Sequence, residues 1–159
     1  MSTRRLSKAD FETLANFRYR LRRFLRFSEE VTRRHGVTPL QYQLMLQLRG
    51  FPDRDWASVT ELAERLQAKH HGVVALVSRC EAAGLVTRST SADDQRRVEV
   101  RLSVAGLQCL EHLARLHRDE LQSLDGEFVG PALDGASTGR NVTPPSRTPP
   151  SWSGSGLRS

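Results

Sequence analysis

The sequence has few cysteines, no long apolar run and no leader-like segment. Its two cysteines, Cys80 and Cys109, are too few for a disulfide scaffold and do not have the spacing of a zinc site. No apolar run approaches the roughly 20 residues of a membrane-spanning helix, so we expect no contact with a membrane. Residues 1–14 are polar and charged and contain no apolar core of a secretory signal. We therefore expect a reducing, cytoplasmic location.

The residue patterns that enzymes need are also missing. No pairing of a nucleophile with a base, no phosphate-binding loop and no metal-ligand cluster can be recognised, so we expect no enzyme activity, no metal and no cofactor. His70 and His71 are consecutive, and on a helix they would point about 100° apart, which makes a poor metal pair. Cys109 and His112 lie three residues apart, but two further ligands for zinc are missing.

Apolar residues make up only 38% of the chain, and the reason is local. Of the 34 residues in 126–159, 20 are Gly, Pro, Ser or Thr, and no periodicity is visible. Such a segment buries too little apolar surface to offset the entropy of ordering it, so we expect a disordered tail.

Positive charge is in excess and unevenly distributed. The formal net charge is +6 and the isoelectric point is about 10.3, so some face of the protein should attract polyanions. Residues 1–36 hold ten Lys or Arg against four Asp or Glu, which accounts for the whole excess. A basic total therefore does not by itself establish nucleic-acid binding.

Five segments repeat apolar residues at steps of three and four, which predicts five helices. The first begins after Ser7 and runs to about Arg34. A capping box over Thr38–Gln41, with Pro39 at the first helical position, opens the second helix. A third follows Ser58 or Thr60.

The remaining elements are two helices and, between them, a segment in which the spacing of apolar residues changes from helical to a period of two. The fourth helix begins at about Lys69 and ends at Gly84, with Val74 and Cys80 among its apolar positions. After it, residues 85–88 and 97–102 alternate with a period of two, which predicts two strands joined by a polar hairpin at 91–95. In the second strand the expected inward side chains are Val98, Val100 and Leu102. A last helix follows Ser103.

From the third helix to the second strand, the elements follow the order of a winged helix-turn-helix: helix, turn, helix, strand, hairpin and strand. In that fold the second helix enters the major groove of DNA. The fourth helix opens with polar or small residues before its apolar stripe, where base-reading groups would lie. Arginines of the hairpin would bind DNA in a different way, because narrow A·T-rich minor grooves attract arginine. The candidate DNA-binding residues are Lys69, His70, His71, Gly72, Ser78, Arg79, Arg88, Arg96 and Arg97.

Three segments, 60–66, 77–88 and 94–106, resemble the MarR family of multiple-antibiotic-resistance-type regulators. The wing signature of that family is D-x-R followed by a strand that ends in L-S/T-x-x-G. In this sequence Asp94, Arg96, Leu102, Ser103 and Gly106 fall on it. The long helix before residue 38 also suits that layout, so the resemblance covers roughly residues 10–122.

The resemblance implies a mainly α fold with a small β-hairpin wing and flanking dimerisation helices. It implies an N-terminal dimerisation helix at 7–36, a winged helix-turn-helix at 38–102 and a C-terminal dimerisation helix at 103–125, followed here by the tail at 126–159. It also implies a homodimer on a palindromic operator, and a repressor released by a small, often phenolic, anionic ligand. Asp94 would pair with an arginine to stiffen the wing, and Arg96 would enter the minor groove.

Several positions allow a second interpretation. Tyr19, Tyr42 and Met45 could line a ligand pocket, although at helical spacing such residues are more often core. Cys80 is expected to be an inert core residue. The basic and apolar run at 18–26 suits either a dimer helix or a membrane-surface helix, and the DNA-binding pattern favours the dimer helix.

The chain departs from the family after residue 125, where a further dimerisation helix would be expected. A shorter interface would weaken the dimer. The competing function is a winged-helix protein-interaction module that does not bind an operator.

Overall fold

The computed structural model describes residues 5–123, which form five helices and three short strands. The elements are α1 (Lys8–Arg34), α2 (Pro39–Arg49), β1 (Trp56–Ala57), α3 (Val59–Leu66), α4 (His70–Ala82), β2 (Val86–Thr90), β3 (Val98–Leu102) and α5 (Val104–Ser123). The predicted mainly α class with a β-hairpin wing is confirmed. Within 5–123 no helix is long and apolar enough to cross a membrane. The tail predicted at 126–159 lies outside the described residues.

Three of the helices begin with a reciprocal capping box. In each, a hydroxyl accepts the backbone N–H of the residue three positions later, whose side chain accepts the N–H of the cap in return. The pairs are Ser7 with Asp10, Thr38 with Gln41, and Ser58 with Glu61. These local hydrogen bonds explain why the sequence predicts the starts of α1 and α2 to the residue, and they settle the α3 cap as Ser58.

The three strands form one antiparallel sheet in the order β1-β3-β2. Trp56 pairs with Arg101 in β1–β3, and Val86 pairs with Leu102 in β2–β3. The predicted alternation of β3 is only partly right. Val100 is buried, but Val98 is 42% exposed because it lies where the hairpin leaves the core, and its neighbour Glu99 is buried.

The core lies where α2, α3, α4 and the sheet meet α5. Its fully buried side chains include Leu44, Leu48, Leu62, Val77 and Leu113. Some apolar residues of α4 and α5 are exposed. Val74, predicted to face inward, is 39% exposed, because α4 turns only one stripe toward α3 and the sheet. In α5 the buried stripe runs through Leu110, Leu113 and His117, while Leu121 is 42% exposed.

The helix α1 has an apolar stripe that the rest of the chain covers only near its C-terminal end. Val31 is buried, Leu14, Phe17 and Leu21 are half-buried, and Phe11 is 54% exposed. The apolar periodicity that predicts α1 therefore extends well beyond the contacts that a single chain provides.

A buried histidine ties α1, α2 and α5 together. Nδ1 of His117 lies 2.7 Å from the Leu113 carbonyl oxygen, and Nε2 lies 2.8 Å from the hydroxyl of Ser28. Because a carbonyl can only accept, Nδ1 carries a proton, and in the neutral ring Nε2 then accepts the Ser28 hydroxyl proton. The ring of Tyr42 stacks on the imidazole at 4.3 Å. Every polar atom of this ring thus has a partner.

Candidate nucleic-acid interface

A three-residue turn joins α3 and α4, the two helices of the candidate helix-turn-helix. Gln67 has a left-handed backbone (φ 50°), which ends α3. The N–H of Ala68 then donates to the Ala63 carbonyl at 3.0 Å, which closes the turn. The inner side of α4 buries Val73 and Val77. The opposite side of α4 is left in solvent.

The first turn of α4 is exposed and has no cap. Lys69 is the N-cap residue, and its side chain makes no capping hydrogen bond, unlike the caps of α1, α2 and α3. Lys69, His70, His71 and Gly72 are all exposed. Within the described residues their side chains take part in no hydrogen bond or ion pair, and the turn contains no acid. The backbone N–H groups of this turn and the cationic Lys69 both favour an anion.

Two further candidates lie later on the exposed side of α4. Arg79 is exposed and, within the described residues, forms no ion pair. Ser78 is exposed, and its hydroxyl donates to the Val74 carbonyl at 3.1 Å, which leaves the oxygen able to accept. The sequence-predicted α4 residues are thus brought together on one solvent-facing side of the helix.

At the wing tip, the Arg96 side chain has no hydrogen-bond or ion-pair partner within the described residues. Arg96 is exposed, and its backbone N–H donates to the Asp94 carboxylate at 2.9 Å. The Arg97 N–H donates to the Asp94 carbonyl at 3.0 Å. Asp94 therefore organises the hairpin through main-chain groups. The arginine side-chain partner that the resemblance implies is not found for Asp94 within residues 5–123, because the wing arginines have other positions.

Two other wing candidates, Arg88 and Arg97, form hydrogen bonds within the chain, and their contact with DNA stays a prediction. Both guanidinium Nε and Nη2 of Arg88 bind Glu81, at 3.0 and 2.6 Å, and these hydrogen bonds lower the pKa of Glu81. Nη2 of Arg97 donates to the hydroxyl of Ser91 at 2.8 Å and to Glu99 at 3.2 Å. Arg97 is half-buried and turned into the base of the wing.

The carboxylate of Glu99 holds a pair of arginines on one face of β3. It accepts from Arg97 and, at 2.8 Å, from Arg101, and its side chain is only 11% exposed. Burial alone would raise the pKa of Glu99, but the hydrogen bonds from Arg101, Ser91 and Arg97 outweigh it, and the pKa is lowered. The charged residues that alternate with the apolar residues of β3 therefore bind one another. They do not form a solvated face.

The three candidate ligand-pocket residues do not meet around a cavity. Tyr42 and Met45 are 5% and 0% exposed and belong to the core, whereas Tyr19 is 61% exposed on α1. Arg23 lies over the Tyr19 ring at 5.9 Å. A groove of about 280 Å³ does lie between α2, β3 and α5, lined in part by Leu48, Arg101 and Leu107. The sequence interpretation of Tyr42 and Met45 as core residues is the one that the structure favours.

The cysteines and histidines outside the interface do not assemble a metal site. Among the described residues no group of three or more His, Cys, Asp or Glu side chains could hold a metal. Cys80 is fully buried, as predicted, and burial raises its pKa to about 11. His35 and His112 join the end of α1 to α5, with their Nε2 atoms 3.0 Å apart.

The residue that sequence reasoning missed is Trp56. It follows a loop and begins a two-residue strand, so no periodicity singles it out. Its ring lies beneath the guanidinium groups of Arg54 and Arg97. The available signal was an aromatic residue that directly follows the charged run Asp53-Arg54-Asp55.

Comparison with known proteins gives matches at the level of both sequence and fold. A family model described as the MarR family matches residues 35–97, from the end of α1 to the wing tip. A candidate transcriptional regulatory protein for the hcr operon of Thauera aromatica is 29% identical over 90 residues, which are 57% of this chain and 52% of that protein. The chain thus spans about half the length of this relative.

Solved structures share the fold at low identity. AbsC, a MarR family transcriptional regulator from Streptomyces coelicolor, superposes with a TM-score of 0.64 at 21% identity, covering 80% of this chain and 83% of AbsC. A mutant of the Staphylococcus aureus regulator MepR bound to an oligodeoxyribonucleotide gives 0.59 at 21% identity, covering 68% and 78%. A MarR family protein from Bacillus stearothermophilus gives 0.63 at 24% identity, covering 74% and 79%.

Proposed function

We propose that this protein is a transcription regulator that binds duplex DNA through α4 and the β2–β3 wing, because a MarR family model matches residues 35–97, which include α3, α4 and β2. Members of this family are transcription regulators rather than enzymes, as the sequence predicts. The proposal assigns the first turn of α4 to the major groove and Arg96 to the adjacent minor groove.

The observation that carries the proposal is the exposed first turn of α4. Its N–H groups have no side-chain cap, its side chains have no partner within the described residues, and no acid opposes Lys69 there. A phosphate or a base edge would satisfy these donors. Arg96 is the wing arginine that can reach DNA without first breaking an ion pair, whereas Arg88 would have to leave Glu81.

The proposal includes a homodimer formed through α1 and α5. Support comes from the apolar stripe of α1, where Phe11 and Leu25 are 54% and 46% exposed in the single chain. Covering such side chains against a second copy would remove apolar surface from water. Two copies would read a palindromic operator with half-sites about 10–10.5 base pairs apart. Repression and release by a small anionic ligand complete the proposal.

Selection of bound duplexes from a random pool tests the proposal. The full chain should enrich a palindrome, and its affinity for that duplex should fall with salt at a log–log slope near −0.9 for each phosphate neutralised. Arg96→Ala should weaken binding and reduce the slope by about one. Arg49→Ala is the matched control, because this exposed arginine lies on α2, outside the elements assigned to DNA binding and to the dimer, and pairs with Asp55.

Two outcomes would contradict the proposal. Equal binding of every duplex would reduce it to non-specific attraction of a basic protein. No enrichment of any duplex, with Arg96→Ala having no effect, would favour the protein-interaction module instead.

A further inference from the structure

Two arginines from different parts of the chain lie over one tryptophan at the base of the wing. The guanidinium carbon of Arg54 is 3.9 Å from the ring centroid of Trp56, and that of Arg97 is 4.6 Å from it. Both distances are within the range of a cation–π contact. We call these three residues the Trp56 stack.

Each arginine of the stack is held at its other side by a different element. Arg54 forms an ion pair with Glu61, the residue that completes the capping box of α3. Arg97 binds Ser91 and Glu99, which belong to the wing. A continuous chain of contacts therefore runs from the first turn of α3, through Trp56, to the hairpin that carries Arg96.

The backbone alone gives this junction little support. The strand β1 has two residues, and its pairing with β3 consists of Trp56 with Arg101 and Ala57 with Val100. So short a pairing is weak without side-chain contacts. The buried Nε of Arg97 makes no hydrogen bond within the described residues, so this guanidinium is held by Nη2 and by the face of the Trp56 ring.

From these contacts we propose that the Trp56 stack is a positioning device: it fixes the wing relative to α3, and so sets the distance between the first turn of α4 and Arg96. The inference rests on the proposed DNA binding. In it Arg97 does not contact DNA. It acts through the wing, and Trp56, which carries no charge, contributes to operator affinity without neutralising a phosphate.

Amide hydrogen exchange in the free protein tests whether the Trp56 stack holds the wing. Trp56→Leu removes the ring face and changes no charge. The amide hydrogens of Ser91 and Arg97 bond within the wing, to the carbonyls of Arg97 and Asp94. In Trp56→Leu they should exchange about tenfold faster, while amides in the middle of α4, such as Val77, should exchange as before.

A second variant separates positioning from charge. Arg97→Lys keeps the positive charge and an ionic contact with Glu99, but loses the planar group that stacks on the ring. It should give the same faster exchange of the wing amides. Trp56→Phe keeps an aromatic face and should restore most of the protection. These two milder changes keep the question answerable if Trp56→Leu does not fold.

The functional half uses the duplex recovered by selection. Trp56→Leu and Arg97→Lys should each lower affinity about tenfold with the salt slope unchanged, because no phosphate contact is lost. Arg96→Ala should lower affinity and reduce the slope by about one. A merely structural loss would lower the fraction of active protein, which titration with excess duplex measures, and leave the affinity of the active fraction unchanged.

Three results would overturn the inference, and they differ from one another. Unchanged exchange of the wing amides in Trp56→Leu would show that the stack does not hold the wing. Faster exchange with unchanged affinity would show that the wing position does not matter for binding, while an effect of Arg96→Ala would leave the proposed function intact. If the unaltered chain selects no duplex, the proposed function falls and takes this inference with it.

Discussion

Gly106 lies so close to Leu85 that a Cβ atom built on the glycine would be 1.9 Å from the Leu85 carbonyl oxygen. The same oxygen accepts the backbone N–H of Ser103 at 3.0 Å. The Ser103 hydroxyl in turn accepts the N–H of Gly106 at 2.9 Å, which caps α5. The serine and the glycine of the wing signature therefore join the start of α5 to the residue that precedes β2.

Replacing this glycine should destabilise the fold. Gly106→Ala forces α5 away from Leu85 and should reduce the free energy of unfolding by about 1–3 kcal/mol, as overpacking does. Urea denaturation at one fixed protein concentration measures it. Gly72→Ala is the matched control, since nothing lies within 4 Å of its added Cβ on an exposed helix, and it should stabilise by up to about 1 kcal/mol. Equal effects of the two substitutions would contradict the close contact.

The hydrogen bond between Ser28 and His117 should contribute measurably to stability. Ser28→Ala leaves Nε2 of the buried imidazole without a partner, which should reduce the free energy of unfolding by about 1–3 kcal/mol. Ser89→Ala, at an exposed position of β2, should change it by less than about 0.5 kcal/mol. Urea denaturation compares the two variants, and a Ser28→Ala protein as stable as Ser89→Ala would show that the contact contributes nothing.

The cap of α3 should make stability depend on pH through Glu61. Burial alone would raise the pKa of Glu61, but hydrogen bonds from Ser58 and Arg54 outweigh it and hold the pKa below 4.5. A lowered pKa means that the carboxylate stabilises the fold above pH 4.5, and that this contribution is lost as the pH falls through the folded value.

Glu61→Gln isolates that contribution, because glutamine does not titrate. The unaltered protein should be more stable than Glu61→Gln by a constant amount above about pH 5, and the difference should shrink as the pH falls below 4.5. Glu81 and Glu99 also have lowered pKa values, but they are present in both proteins and cancel in the difference. A difference that stays constant down to pH 3 would contradict the ionised cap.

The two thiols should differ in reactivity. Burial raises the pKa of Cys80 to about 11, so at pH 8 about one molecule in a thousand would carry the thiolate. Burial also raises the pKa of Cys109, but that side chain is only half-buried. Alkylation at pH 8 followed by mass spectrometry should label Cys109 first, and urea should equalise the two rates. Rapid labelling of Cys80 in the folded protein would show that α4 opens.

The helices could be predicted from the sequence because their signals are local. A hydroxyl residue and its partner three positions later specify the starts of α1 and α2, and apolar spacing identifies α3, α4 and α5. Family resemblance added the wing signature, of which Asp94 and Arg96 lie within the residues 35–97 that the MarR family model matches. Local patterns also marked Lys69 as the start of the exposed turn of α4, where it proves to be the N-cap residue.

The base of the wing could not be predicted, because its contacts join residues far apart in the sequence. Arg97 follows Arg96 directly and has the same side chain. It nevertheless lies over Trp56, which comes about 40 positions earlier in the chain, so no local pattern could indicate the contact. The pattern of β3 predicted Val98 as an inward residue, and only the three-dimensional position of the hairpin shows that it is exposed. Tyr19 and Tyr42 are the same residue type, but Tyr19 is exposed and Tyr42 is buried.

The uncapped first turn of α4 has an evolutionary consequence. Its side chains support neither the core nor, within the described residues, any hydrogen bond or ion pair, whereas the capping boxes of α1, α2 and α3 are fixed by their own partners. Residues 69–72 can therefore vary with little loss of stability. If this turn reads DNA, a lineage could acquire a new target sequence through a few substitutions there, while the scaffold that presents them stays under separate selection.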